Sequence, residues 1–370
     1  MQQALNSLRR FAFGDETPPA TPTRDMEATH STPELGKAQD TSADVTEGGA
    51  QDYYHPHPKD IVYLRTVLAK ATRLPADLVD AIFDFAEYWA SSTNEVDFVK
   101  EHGTALRING TGRSEDRFLI RSFPVGLVGI DGRQNLAETL AYDLNEAKPV
   151  PLGREHDAAY FAKLADYPTP RLVNPVRKIV FSVKSKDQGW GGNREHKGTY
   201  KSSWTWFEAG LERFDADQTC ETQCPIDLRY QSANSVATSL PLCAIRPVRP
   251  VLEALPPVPS TEDTDEPAPG PRYKYVHDLA HDPKWEIQRN RSATKEFREH
   301  VVSWRWDDDI EPGSEEAQHL DDIGRGPETG TGELVRSLKM GDIISVWGKA
   351  RFGGWTNIIE RFKIDIYWAV

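Results

Sequence analysis

The C-terminal run Ile358–Trp368 carries Phe362, Ile364, Ile366 and Trp368 in alternation with Arg361, Lys363, Asp365 and Tyr367. A period of two sends successive side chains to opposite faces of an extended strand. One face therefore needs an apolar cover, while the other can meet water. Ile343–Ala350 precedes it as another strand, across a turn at Gly353–Gly354–Trp355. Upstream, Ile179, Phe181 and Val183 alternate with Val180, Ser182 and Lys184. Strands of this kind close a core by stacking sheet on sheet. The chain is expected to be mainly β: an antiparallel, jelly-roll-like β-sandwich with a small α-helical N-terminal part.

The stretch Arg177–Glu208 reads as a strand, a glycine-rich excursion and a second strand with two tryptophans. Asp187–Gln188–Gly189 breaks the first alternation, and Gly191–Gly192 adds the freedom needed for tight turns. Ser203–Trp204–Thr205–Trp206 puts both indoles on one face, and Ser303–Trp304–Arg305–Trp306 repeats the pattern. The two copies are expected to play similar roles in one sandwich. Large aromatics commonly fill such cores. The other use of Trp204 and Trp206 is as part of an aromatic platform near Trp190. Ala105–Ile108 and Arg117–Ser122, across the Asn109–Gly110 turn, read as a hairpin.

Of 370 residues, only 38% are hydrophobic, and the net charge is −13. That hydrophobic share is low for one compact body, so part of the chain is expected to be disordered. Residues 1–56, rich in Thr, Pro, Asp, Glu and Ala, are assigned to a disordered tail. A helical hairpin over 57–100 follows, then the sandwich over 101–370. A disordered Pro/acidic insertion falls at about 255–272 and an acidic loop at about 307–333. The excess of acids argues against nucleic acid or an anionic membrane as partner. Nothing approaches the ~20 apolar residues of a bilayer span.

Three cysteines, Cys220, Cys224 and Cys243, make neither a disulfide framework nor a four-ligand zinc site. A reducing compartment, cytoplasm or nucleus, is the simpler expectation. Asp307–Asp308–Asp309 matches no calcium loop, and a solvated acidic loop is expected there. No metal or other cofactor is expected. Glu195 and His196 could move a proton, but an adjacent charged pair in a polar loop is ordinarily just solvated. No catalytic constellation is assigned, and a non-enzymatic protein is expected.

Within the hairpin, Ile61, Leu64, Val67 and Leu68 have helical spacing, and Leu74–Pro75 opens a second helix. Leu74–Pro75–Ala76–Asp77–Leu78–Val79–Asp80–Ala81–Ile82–Phe83 resembles the start of an F-box. The resemblance implies that Leu74, Pro75, Leu78, Val79, Ile82 and Phe83 meet a Skp1-type adaptor protein of a ubiquitin ligase. The other use of the hairpin is to cap the sandwich. The aromatic strands and the Gly–Trp hairpin resemble galactose-binding-like (jelly-roll) domains found behind F-box motifs and in some lectins. The combination is also similar to fungal proteins. The resemblance implies a substrate adaptor, with the sandwich as the capturing module.

The alternative function is a lectin-like or small-ligand-binding module. Its candidate residues are Asp187, Gln188, Trp190, Asn193, Trp204, Trp206, Trp355 and Asn357. Aromatic faces suit the apolar faces of sugar rings, while amides and carboxylates suit hydroxyls.

Overall fold

A computed structural model describes residues 55–112, 115–127, 145–157, 159–161, 173–218, 242–257 and 270–370. Residues 1–54 of the expected tail, Cys220, Cys224 and most of the 255–272 insertion lie outside the described residues.

Among the described residues, twelve strands follow one another: β1 (Ala90–Asp97), β2 (Leu106–Asn109), β3 (Asp116–Arg121), β4 (Val176–Lys186), β5 (Thr205–Phe214), β6 (Ile245–Arg249), β7 (Val251–Ala254), β8 (Tyr273–Val276), β9 (Glu286–Arg289), β10 (Arg298–Arg305), β11 (Ile343–Ala350) and β12 (Thr356–Trp368). The helices are α1 (Pro58–Thr72), α2 (Ala76–Phe85), α3 (Phe98–His102), α4 (Glu315–Asp322) and α5 (Glu333–Ser337). Two five-stranded sheets and the β7–β8 ribbon make up the β structure, and every pairing is antiparallel. The expected antiparallel sandwich with a small helical part is therefore what the chain forms.

β12 organises the first sheet, whose order is β1-β12-β4-β10. One edge of β12 pairs with β4 along most of its length; the other pairs with β2 through Thr356–Ile359 and with β1 through Arg361–Trp368. Phe362, Ile364, Ile366 and Trp368 all face the core, as their period of two requires. The second sheet has the order β3-β11-β5-β6, with β9 beside the start of β5. Leu119, Phe207, Ala209, Leu211, Ile344 and Val346 supply its inner face.

The hairpin expected from Ala105–Ser122 does not form. β2 joins β12 in the first sheet, and β3 joins β11 in the second. The Gly353–Trp355 turn likewise sends β11 and β12 into opposite sheets. Both turns cross one end of the sandwich, so strands adjacent in sequence face each other across the core. Local pattern specifies a strand and its buried face but not which sheet accepts it.

Ser91–Asn94, which reads as a turn, is the middle of β1. The sandwich therefore begins inside the expected 57–100 hairpin. Ala90, Ser92, Asn94 and Val96 are the buried set, and the two polar members hide the alternation. Asn94 is accommodated because its amide donates to the Arg121 carbonyl.

His57 and Asp60 cap α1: the Asp60 carboxylate accepts from His57 N at 3.3 Å, and His57 Nδ1 accepts from Lys59 N at 3.3 Å. Ile61, Val79 and Phe83 then enter the same hydrophobic cluster as the sandwich core, so the hairpin caps it. The acidic region 307–333 is not a bare loop. Ser314 caps α4 through Ala317 N at 3.1 Å, and Ala317 and Leu320 are buried beneath it. Asp308 accepts from Arg305 N at 2.8 Å, while Asp321 pairs with Arg289. Among the described residues, no helix is long and apolar enough to cross a membrane.

Candidate functional site: an exposed aromatic end

The glycine-rich excursion after β4 ends in a surface loop anchored by a buried acid. Asp187 is fully buried, and its carboxylate accepts from Gly189 N at 2.7 Å, Thr294 N at 3.2 Å and Ala293 N. Burial pushes its pKa up despite these donors. Gln188 links the loop to β12: Nε2 donates to the Trp190 carbonyl at 2.6 Å, and Oε1 accepts from Thr356 N at 3.1 Å.

Trp190 is 64% exposed. Its ring comes within 3.6 Å of where a Cβ on Gly354 would stand, and the Trp355 ring lies 3.7 Å from the corresponding point on Gly192. Each indole thus packs over the glycine beside the other. Both glycines have positive φ, 92° and 72°, so a side chain at either would strain the backbone, while its Cβ would meet the indole at ordinary contact distance. Phe352, in the left-handed region at φ 65°, is 46% exposed. It meets half-buried Trp204 edge-on, with ring centroids 4.6 Å apart. Trp190, Trp355, Phe352 and Trp204 therefore belong to neighbouring loops at one end of the sandwich. Asn193 is exposed on the same excursion, its side chain accepting from Glu195 N at 3.2 Å.

Other expected ligand residues have structural positions. Asn357 is fully buried; its amide donates to the carbonyls of Trp206 at 3.1 Å and Lys349 at 3.2 Å, tying β12 to the second sheet. Trp206 is fully buried on the outer face of that sheet. It shares that face with Trp204, as the S-W-x-W spacing requires: both rings meet His281, at 4.6 and 5.7 Å. Trp304 of the second copy instead lies in the core between the sheets, so the two copies do not play similar roles. Phe352 was missed because nothing in Arg351–Gly354 announces an exposed ring.

The outer face of the second sheet is covered by β8 and the chain that follows it. Tyr275 and His277 lie 5.2 and 4.8 Å from the Trp347 ring. Beneath them run buried ion pairs: Arg121–Glu212 at 2.9 Å, Lys349–Glu208 at 2.5 Å and Arg351–Asp116 at 2.7 Å. Glu208, Asp278 and Asp282 form the one group of three potential metal ligands found among the described residues. The Arg249 guanidinium already lies among them, 3.6 Å from Glu208, 3.4 Å from Asp278 and in contact with Asp282. These carboxylates are answered by the chain's own cations, so they provide no separate argument for a metal.

Burial pushes His277, His281 and His300 down to about 4 from an ordinary 6.5. The unfolded chain then binds more protons between these values, so stability falls as pH drops from 6.5 toward 4. Glu286 acts in the opposite sense: burial outweighs its Arg289 partner and raises it from 4.5 to about 8, so its contribution falls as pH rises across that interval. Together these four groups place maximal stability near about pH 7. Thermal melts across this range check the prediction, and His300→Gln should flatten the acid limb. An unchanged acid limb in that variant would contradict the assignment to His300.

His196 Nδ1 lies 2.7 Å from Ser202 Oγ at the surface. Comparison with protein-family models, curated proteins and solved structures finds no match to this chain. The class that the architecture defines is an antiparallel β-sandwich capped by a helical hairpin, with an exposed aromatic end.

Proposed function

We propose that this is a non-enzymatic binding protein whose aromatic end holds a polyhydroxylated, saccharide-like ligand. The observation that carries this reading is Trp190, 64% exposed yet braced over Gly354 and tied down through Gln188. An indole held open to solvent can stack on the apolar face of a sugar ring. Trp355, Phe352 and Trp204 extend the apolar surface, and Gln188 and Asn193 bring polar side chains to the excursion. Asp187 supports this surface from below through its bonds to the loop backbone; Trp206 and Asn357 are buried and belong to the sandwich rather than to the ligand surface.

A glycan array followed by calorimetry on the best hit tests the reading. Trp190→Ala should weaken binding by about 1–2 kcal/mol, a five- to thirtyfold loss, with the melting temperature unchanged. A panel without a binder, or a variant that binds as well as the parent, would count against it.

The exposure of the hairpin favours a second reading, the F-box-type adaptor contact. Leu78 is 49% and Phe85 90% exposed, while Val79 and Phe83 are buried in the core. Pro75 is exposed, and Leu74 and Ile82 are half-buried. α2 is thus apolar toward solvent as well as toward the sandwich. A Skp1-type adaptor would meet Pro75, Leu78, the exposed parts of Leu74 and Ile82, and the neighbouring Phe85. Leu78→Asp with Phe85→Asp should abolish capture of a purified Skp1-type protein while leaving the fold intact. Absence of capture by the parent chain would remove this reading.

A further inference from the structure

A cavity of about 140 Å³ opens between the β9–β10 side of the sandwich and the turn leading into α5. Trp285, Trp304, Leu334 and Val335 form its apolar lining, while Lys284, Glu328 and Glu333 bring charge to it. An apolar cavity of about 150 Å³ admits benzene, so the volume suits a single aromatic ring. Trp304 is 1% exposed, and its indole N–H has no hydrogen-bond partner. That donor is itself closed off, so the Trp304 ring rather than its N–H borders the cavity.

The charges favour an amine. Lys284 Nζ lies 3.7 Å from Glu333 and 4.0 Å from Glu328, and its side chain is 57% exposed. Two carboxylates face one ammonium, leaving the charged groups net negative. The Arg249 guanidinium, 5.1 Å from the Trp285 ring centroid, is already paired with Glu208 and Asp282 and does not offset this excess. The hydroxyls offer less: Thr329 and Ser337 donate to the carbonyls of Gly326 and Leu334, both at 2.7 Å.

We propose that this cavity binds an arylalkylammonium ion, with the ring between Trp285, Trp304 and Leu334 and the ammonium beside Glu328 and Glu333. This site is separate from the aromatic end and does not depend on the function proposed for it.

Titration of the full chain with tyramine, followed by ligand-observed NMR and tryptophan fluorescence, tests the proposal. Saturable one-to-one binding is expected. 4-Hydroxyphenylacetate, which reverses the charge, should bind least. Glu328→Gln with Glu333→Gln should weaken tyramine by about tenfold without altering the melt, since these are solvent-accessible charges. Leu334→Trp should fill the cavity and abolish binding; if that variant unfolds, the double glutamine variant decides. No saturation with tyramine, preference for the carboxylate, or unchanged affinity in the glutamine variant would overturn the proposal.

Discussion

Trp206→Ala is expected to lower the unfolding free energy by about 3–5 kcal/mol, the range for truncating a large buried aromatic. The indole is fully buried, with the His281 ring edge-on at 4.6 Å and the Arg351 guanidinium 5.2 Å from its centroid. Removing it would leave a void between β5 and the chain over it, and close-packed neighbours refill such voids only in part. Urea titration measures the loss through the transition midpoint at constant slope. A loss below about 1 kcal/mol would show that the covering chain collapses onto the gap and that the ring adds little. Ligand affinity should be unchanged under conditions where the variant remains folded, because Trp206 does not reach the exposed surface. The contrast with Trp190→Ala separates the two kinds of tryptophan: one should cost stability and leave binding alone, the other the reverse.

Arg121→Met should cost about 3–5 kcal/mol, and the same variant combined with Glu212→Gln should recover much of it. Arg121 and Glu212 face each other across the second sheet, their side chains 1% and 2% exposed and 2.9 Å apart. Arg121 also donates to the Asn145 carbonyl at 2.8 Å. Removing the guanidinium leaves a buried carboxylate without its paired cation, and this desolvation makes the single change severe. Neutralising both removes the uncompensated charge, which is why a paired replacement is tolerated better than either half. A double-mutant cycle by chemical denaturation measures the coupling. A double variant no more stable than Arg121→Met would refute this account.

The sequence exposes the β12 alternation because every inward residue from Phe362 to Trp368 is apolar and no polar residue interrupts the set. It hides β1 because Ser92 and Asn94 share the inward face, and Asn94 is accommodated there by a bond to the Arg121 carbonyl in the other sheet. The candidate site is partly legible. Trp190, Trp355 and the glycines that seat them are visible as an aromatic and turn-rich pair of loops. Asp187 and Asn357 look like surface binding groups because their polarity is evident and their burial is not. The hydrogen bonds that satisfy them come from residues far away in the chain, such as Asn290, 67 positions from Asn357, whose amide donates to it at 3.0 Å.

Periodicity by itself determined strands such as β4 and β12, the faces they bury and the amphipathic hairpin, because those depend on side chains two, three or four positions apart. Tertiary structure alone decided which sheet each strand joins, that the two S-W-x-W segments serve opposite faces, and that Lys349 and Glu208 are buried together. It also decided that Trp190 stays in solvent while Trp206 does not. The physical reason is that strand pairing, and the burial of a charge beside its counter-charge, depend on contacts between residues remote in sequence. No local window contains both partners.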